Sequence, residues 1–225
     1  MNLLWLIPFC IASYLIGNFN FSIFLSKRKF KTDIRAQASG NPGATNMLRT
    51  FGAKVGLFIF FLDMLKGLVP SIVGFFVFGQ GVDGYIALYS MGFSAVLGHC
   101  YPVFYRFKGG KGVSTIVGVL IVANPLMVVI ACTVALVYMY IWHYMAVASF
   151  IVVTTVIGFQ LFYHNDTSLA ISILLVCFYF FILFKHRKNI IRLLQGKENK
   201  ASLFKKKKKE TISPEPSEES SEITQ

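Results

Sequence analysis

The sequence predicts an all-α integral membrane protein of about seven transmembrane helices, with the N-terminus outside and the C-terminus cytoplasmic. Three observations carry that expectation. Of the 225 residues, 55% are hydrophobic and only 14% are charged, well below the roughly 25% charge of a soluble domain. The apolar stretches 3–25, 55–78, 85–105 and 113–184 each approach or exceed the ~20 residues needed to span a bilayer. The 22 Lys and Arg residues are grouped: seven between Lys27 and Lys54, three between Arg106 and Lys111, eleven from Lys185 onward, and Lys66 alone inside an apolar segment. The positive-inside rule places all three basic islands on the cytoplasmic side. The net charge of +12 therefore reads as topology and lipid contact. Nucleic-acid binding is not indicated, because each island abuts an apolar segment rather than a folded basic face.

The elements follow in order. Segment 3–25 has no basic n-region or small-residue cleavage site, so it is expected to be a span and not a cleaved signal peptide. Segment 55–78 exits at the Gly79–Gly84 turn, and 85–105 returns, leaving Lys108 and Lys111 inside. The reach Val113–Phe184 has 72 residues and must start and finish inside. Four crossings of about 18 residues suit it better than two of about 36. Turn signals at Ala123-Asn124-Pro125, Trp142-His143 and His164-Asn165-Asp166-Thr167 support four. Val113–Ala123, at 11 residues, is the shortest segment. The same parity puts His143 and its neighbours beside the polar islands.

Residues 1–200 form the membrane domain, and 201–225 read as a polybasic, then acidic, disordered cytoplasmic tail. Its pentalysine run, Lys205–Lys209, could add about 1 kcal/mol per lysine at anionic lipid. The following glutamates offset it, and a dispensable tail is expected. Cys10, Cys100, Cys132 and Cys177 lie in or beside apolar segments with no C-x-x-C spacing. Neither a disulfide nor a metal site is indicated, and no cofactor is expected.

Three polar islands carry the candidate chemistry. In Ser39–Arg49, S-G-N-P-G-A-T-N-M-L-R, the side chains of Ser39, Asn41, Thr45 and Asn46 supply short-armed donors. Arg49 can fork onto phosphate, and Gly40, Pro42 and Gly43 turn the chain and bare its amides. The second island, Lys108-Gly109-Gly110-Lys111-Gly112, opens a helix at Ser114 and Thr115. Glycine permits the positive φ and close approach of an anion nest, and a helix N-terminus adds free amides. It is not a Walker A loop, because Gly112 follows Lys111. His99, just before it, is expected to be a helix-end packing residue. The third island, His186–Glu198, puts His186, Asn189 and Arg192 on neighbouring positions of a surface helix. Taken alone, this island is better explained as a basic stop-transfer helix. Asp63 and Lys66 share one face of the second span. They read either as a functional pair, the default for ionisable groups at membrane depth, or as a self-neutralising brace.

G-x-S-x-G and H-E-x-x-H are absent from the sequence. Chemistry at these islands would rest on positioning and electrostatics rather than a protein nucleophile.

Together the islands resemble the bacterial acyl-phosphate:glycerol-3-phosphate acyltransferases, the PlsY family, over about residues 1–200. The family's signatures look like S-G-N-x-G-A-T-N-x-x-R, G-H-x-F-P-x-F-x-x-F-K-G-G-K-G-V-A-T and H-R-x-N-I-x-R-L-x-x-G-x-E. All three occur in order, and Asp63-x-x-Lys66-Gly67 fits as well. The resemblance implies a seven-helix enzyme of the bacterial cytoplasmic membrane. It would transfer a fatty acyl group from acyl phosphate to the 1-hydroxyl of sn-glycerol 3-phosphate, giving lysophosphatidic acid and phosphate without a covalent acyl-enzyme. Ser39, Asn41, Arg49, Lys111, His186 and Asn189 would be catalytic. Gly40, Gly43, Thr45, Asn46, Lys108, Gly109, Gly110, Gly112, Arg192 and Ser149 would bind substrate. The chain departs from the family's R-Y-x-S-L-x-S, reading His143-Tyr144-Met145-Ala146-Val147-Ala148-Ser149. A serine hydroxyl is thus lost at Ala146, with Ser149 one turn away. Ala38 and Ser114 are milder changes. A non-catalytic membrane binder or transporter of a phosphorylated metabolite would use the same nests. The short cytoplasmic loops favour a small acyl donor over acyl-CoA or acyl carrier protein.

Overall fold

The computed structural model describes residues 3–163 and 168–200, all helix and connecting loop. The His164–Thr167 turn and the 201–225 tail lie outside the described residues. The helices are α1 Leu6–Asn18, α2 Phe21–Phe30, α3 Ala44–Phe51, α4 Ala53–Val77, α5 Val82–Cys100, α6 Val113–Ala123, α7 Pro125–Trp142, α8 Met145–Tyr163, α9 Leu169–Lys185 and α10 Arg187–Leu194.

The first apolar stretch is not one continuous helix. It breaks at Phe19-Asn20, where Asn20 takes an extended conformation and its side chain accepts from Ile23 N as the cap of α2. A capping Asn satisfies amides that an uninterrupted helix would have used. The break matters later, because it leaves the Phe19 carbonyl open to a side chain. The predicted break at Asn124-Pro125 is observed: Asn124 caps α7 and Pro125 opens it, where a missing N–H costs nothing. α7 ends at His143, which is left-handed with φ 65°.

Among the described residues, four segments are long and apolar enough to cross a membrane: Leu6–Phe30, Ala53–Val77, Pro125–Trp142 and Met145–Phe162. Counting Leu169–Lys185 with Arg187–Leu194, bent by 58°, makes five. α5 and α6 are not among them, for a structural reason. α5 packs against α1, α4, α6 and α9 and buries most of its length. With little lipid to face, it carries Gly, Ser and Tyr where an outer helix carries Leu and Phe. α6 is short, and Thr115–Leu120 is wholly buried.

Small residues let these inner helices touch. A side chain at Gly67 would collide with the Thr115 carbonyl, and one at Gly118 with the Met64 carbonyl, so α4 and α6 cross backbone against backbone. Close crossing of this kind is how helices associate where lipid removes the hydrophobic driving force. The main core joins Tyr89, Val96, Ile116, Leu120, Phe178 and Ile182. The outer faces are equally apolar: Phe58, Phe61, Val69 and Phe76 on α4 and Val129, Val137 and Tyr140 on α7 are exposed. Hydrophobic surface on that scale is the lipid-facing side of a membrane bundle.

Candidate active site

α3, the 101–112 loop, the α9–α10 bend and the start of α8 surround one cavity of ≈ 1510 Å³. All three polar islands open onto it. Of the sixteen residues expected at a site, Ser39, Gly40, Asn41, Gly43, Thr45, Arg49, Lys108, Gly109, Gly110, Lys111, Ser149, His186, Asn189 and Arg192 line it. Asn46 and Gly112 do not. The Asn46 amide donates to Ile34 O and Gln37 O, each at 3.0 Å, and its Oδ1 accepts from Ser39 N at 3.2 Å. It therefore shapes the loop that presents Ser39. Gly112 is left-handed at φ 88°, and a side chain there would press on Val96 and Cys100. Its job is to turn the nest into α6.

The islands are also bonded to one another. Lys111 Nζ donates to Asn189 Oδ1, joining the second island to the third. Arg49 Nη2 donates to Asn199 O at 3.0 Å, joining the first to the third. Arg49 Nε is buried with no partner, so part of its fork remains for a ligand. His186 sits at the bend, buried, with Nδ1 3.0 Å from Ile182 O. A carbonyl only accepts, so Nδ1 carries the ring hydrogen and Nε2 holds a lone pair when the ring is neutral. The Ser149 hydroxyl donates back to Met145 O at 2.9 Å. His143, expected near the islands, does not line the cavity, although Met145, Ala146 and Ala148 do.

Not every cation is equally available. Arg35 forks onto Asp33, with Nη2 2.7 Å from Oδ2 and Nε 3.0 Å from Oδ1. That bidentate contact holds the Asp33 carboxyl well below the usual carboxylate range. Lys111 is different. Burial pushes its ammonium down to about 8, Glu198 opposes the shift, and Arg192 and Arg49 add to it.

Sequence reasoning missed Glu198 as a site residue. Gly196, left-handed at φ 66°, reverses the chain after α10. Glu198 Oε1 then accepts from Asn189 Nδ2 at 2.7 Å, and Oε2 from Arg192 Nε at 2.9 Å. The Gly-x-Glu ending of the third island was its only signal. His99, expected only to pack at a helix end, reaches the cavity wall, and so does Asp63, which was read as half of either a functional pair or a brace. Among the described residues, no group of three or more His, Cys, Asp or Glu could hold a metal ion.

The same cavity also has apolar lining: Phe60 of α4, Val117 of α6, Leu136 and Met139 of α7, and Val152 of α8. Cations and apolar side chains lining one cavity suit a membrane protein that holds an amphiphile with an anionic head.

Comparison with known proteins narrows that class. A family model for glycerol-3-phosphate acyltransferase matches residues 7–196. The glycerol-3-phosphate acyltransferase of Finegoldia magna is 40% identical over 200 residues, 89% of this chain and 98% of that protein. That of Aquifex aeolicus is 36% identical over 191 residues, 84% and 96% of the two chains. The crystal structure of PlsY, an integral membrane glycerol 3-phosphate acyltransferase, in its glycerol 3-phosphate form is similar with a TM-score of 0.81 at 34% identity, covering 88% of this chain and 96% of that one. Its lysophosphatidic acid form gives 0.77 at 33% identity, with the same coverage. The chain belongs to the glycerol-3-phosphate acyltransferase family and is a multi-pass integral membrane acyltransferase.

Proposed function

We propose that this enzyme joins a fatty acyl group from acyl phosphate to the 1-hydroxyl of sn-glycerol 3-phosphate, giving lysophosphatidic acid and inorganic phosphate. One observation carries the reading: three polar islands far apart in sequence meet in one cavity that also has apolar lining. Two phosphates and one acyl chain call for both. Ser39, Arg49, Lys111 and the amide of Gly109 hold the phosphates. Asn189 and Arg192, fixed by Glu198, complete the anion site, and the apolar lining takes the chain.

The chemistry is an acyl exchange between two oxygens. The glycerol hydroxyl oxygen bonds to the acyl carbon, the bond from that carbon to the phosphate oxygen breaks, and the hydroxyl proton leaves on phosphate. The cations favour the charge gathering on the departing phosphate. His186, presenting Nε2, orients the hydroxyl or relays its proton. Ser149 supplies a hydroxyl that the alanine at 146 does not.

Seven helices crossing a bacterial cytoplasmic membrane, with the N-terminus outside and the site on the cytoplasmic face, complete the proposal. Short, buried α6 fits such a count as an inner span. Residues 1–200 act as one domain, so deleting 203–225 is expected to leave turnover in lipid unchanged. A fall in turnover would make the tail part of the enzyme.

The direct test mixes purified protein with palmitoyl phosphate and radiolabelled glycerol 3-phosphate, with acyl-CoA as a parallel donor. Lysophosphatidic acid formed with acyl phosphate alone supports the proposal. Folded protein that binds glycerol 3-phosphate and releases it unchanged would replace it with a binding or transport role.

Lys111 predicts a pH limit. Its folded pKa lies below the ordinary lysine value, so it is charged below about 8 and loses the charge above it. The ratio kcat/KM follows groups of the free enzyme, so for glycerol 3-phosphate it is expected to decline as pH rises through that value. Lys111→Arg, which stays charged, should remove the decline. A flat profile in the native enzyme would show that Lys111 does not act through its charge.

A further inference from the structure

We propose that Asp63, Lys66 and His99 form a positioning device for the Gly109–Lys111 turn, fixing from beneath the surface on which the phosphate nest sits. The inference rests on reading that turn as a phosphate site, and it concerns three residues that the reaction itself does not use. All three are buried, at 1%, 4% and 4% exposure, where ionisable groups are costly.

Their bonds explain the expense. The Lys66 ammonium has three protons and three partners: Asp63 Oδ1 at 2.9 Å, His99 Nδ1 at 3.2 Å and Phe19 O at 2.8 Å. One ammonium thus ties α4 to the end of α5 and to the break between α1 and α2. An ammonium only donates, so His99 Nδ1 accepts and the ring hydrogen belongs on Nε2. Asp63 Oδ1 lies 3.5 Å from the same ring nitrogen. The Lys66 bond is therefore what holds the imidazole at this edge.

The opposite edge meets the nest. Gly110 N donates to the His99 carbonyl at 3.1 Å. A side chain at Gly110 would collide with His99 Nε2, and one at Gly109 with the His99 carbonyl. The two glycines therefore lie directly on this residue, and Lys111 follows them in the chain. An apolar trio of equal volume would brace the bundle as well as a buried ionic cluster, and often better. Only directed bonds hold the ring, and with it the turn, in one orientation.

The test is a double-mutant cycle. Asp63→Asn with Lys66→Met removes both charges together, leaving no lone buried ion, and frees the His99 ring. In the native background this pair is expected to lower kcat/KM for glycerol 3-phosphate about tenfold; in a Lys111→Ala background it should cost less than about twofold more, because coupled groups are not additive. Both proteins would first be shown to be folded by size-exclusion chromatography and thermal unfolding in detergent. Equal losses in both backgrounds would overturn the inference, making the cluster a plain fold support or a separate substrate contact. No loss in the native background would overturn it as well. If the paired variant is not recovered folded, the same cycle is run with His99→Gln and judged by the same outcomes. Should Lys111→Ala alone change nothing, the nest itself is misassigned and the proposed site falls first.

Discussion

Replacing Arg49 with alanine is expected to lower kcat/KM for glycerol 3-phosphate by roughly 10- to 150-fold, the loss of one charge-assisted hydrogen bond of about 1.5–3 kcal/mol. Arg49 lines the cavity and stands on α3, just after the loop that carries Ser39. Among the described residues its Nη2 has the Asn199 carbonyl as partner, while Nε is buried and unpaired. A half-buried guanidinium whose Nε is shielded from water and unused is well suited to an anion. Steady-state kinetics with glycerol 3-phosphate varied at saturating acyl phosphate would read the effect, which should fall mainly on KM. Arg49→Lys should recover only part of it, since an ammonium keeps the charge without the planar fork. Native kinetics in the alanine variant would remove Arg49 from the site.

Glu198→Gln is expected to cost both stability and turnover, with about 1.5–3 kcal/mol at stake in the charged hydrogen bonds. The carboxylate accepts from Asn189 through one oxygen and from Arg192 through the other, and its side chain is 3% exposed. A glutamine has one acceptor oxygen for those two donors and turns an NH2 toward one of them. Asn189 then loses the contact that orients it, and with it the carbonyl that holds Lys111. Thermal unfolding in detergent should show a lower midpoint, and kcat should fall as the two islands drift apart. A variant with native melting and native kcat would show that Glu198 merely caps the chain end.

Much of the site was legible because its parts are local. Ser39-Gly40-Asn41 and Lys108-Gly109-Gly110-Lys111 are short runs whose chemistry is visible in residue type alone, and both line the cavity. Asn46 was misread for the same reason. A polar residue inside a polar run looks like a ligand, and only the fold shows that its amide is occupied by Ile34 O and Gln37 O. His99 was read as a packing residue, which understates it: the ring packs, but against the glycines of the nest and under the grip of Lys66. No local pattern links Phe19 or His99 to the Asp63–Lys66 pair. Their meeting needs a helix broken at Asn20 and two helices in close contact.

Composition and charge grouping determined that this chain is a helical membrane protein, since too few charges remain to clothe a soluble surface. Motif spacing determined the family and most of the polar residues that the three islands bring to the cavity. Tertiary structure alone decided which side chains are already committed to one another. Arg35 is bound by Asp33, Asn46 by the loop, and Glu198 by Asn189 and Arg192. It also decided that α5 is the inner helix and that the first apolar stretch is two helices. Residue type sets what a group can bond, but distance sets what it does bond, and contacts between separate helices depend on how the whole bundle packs.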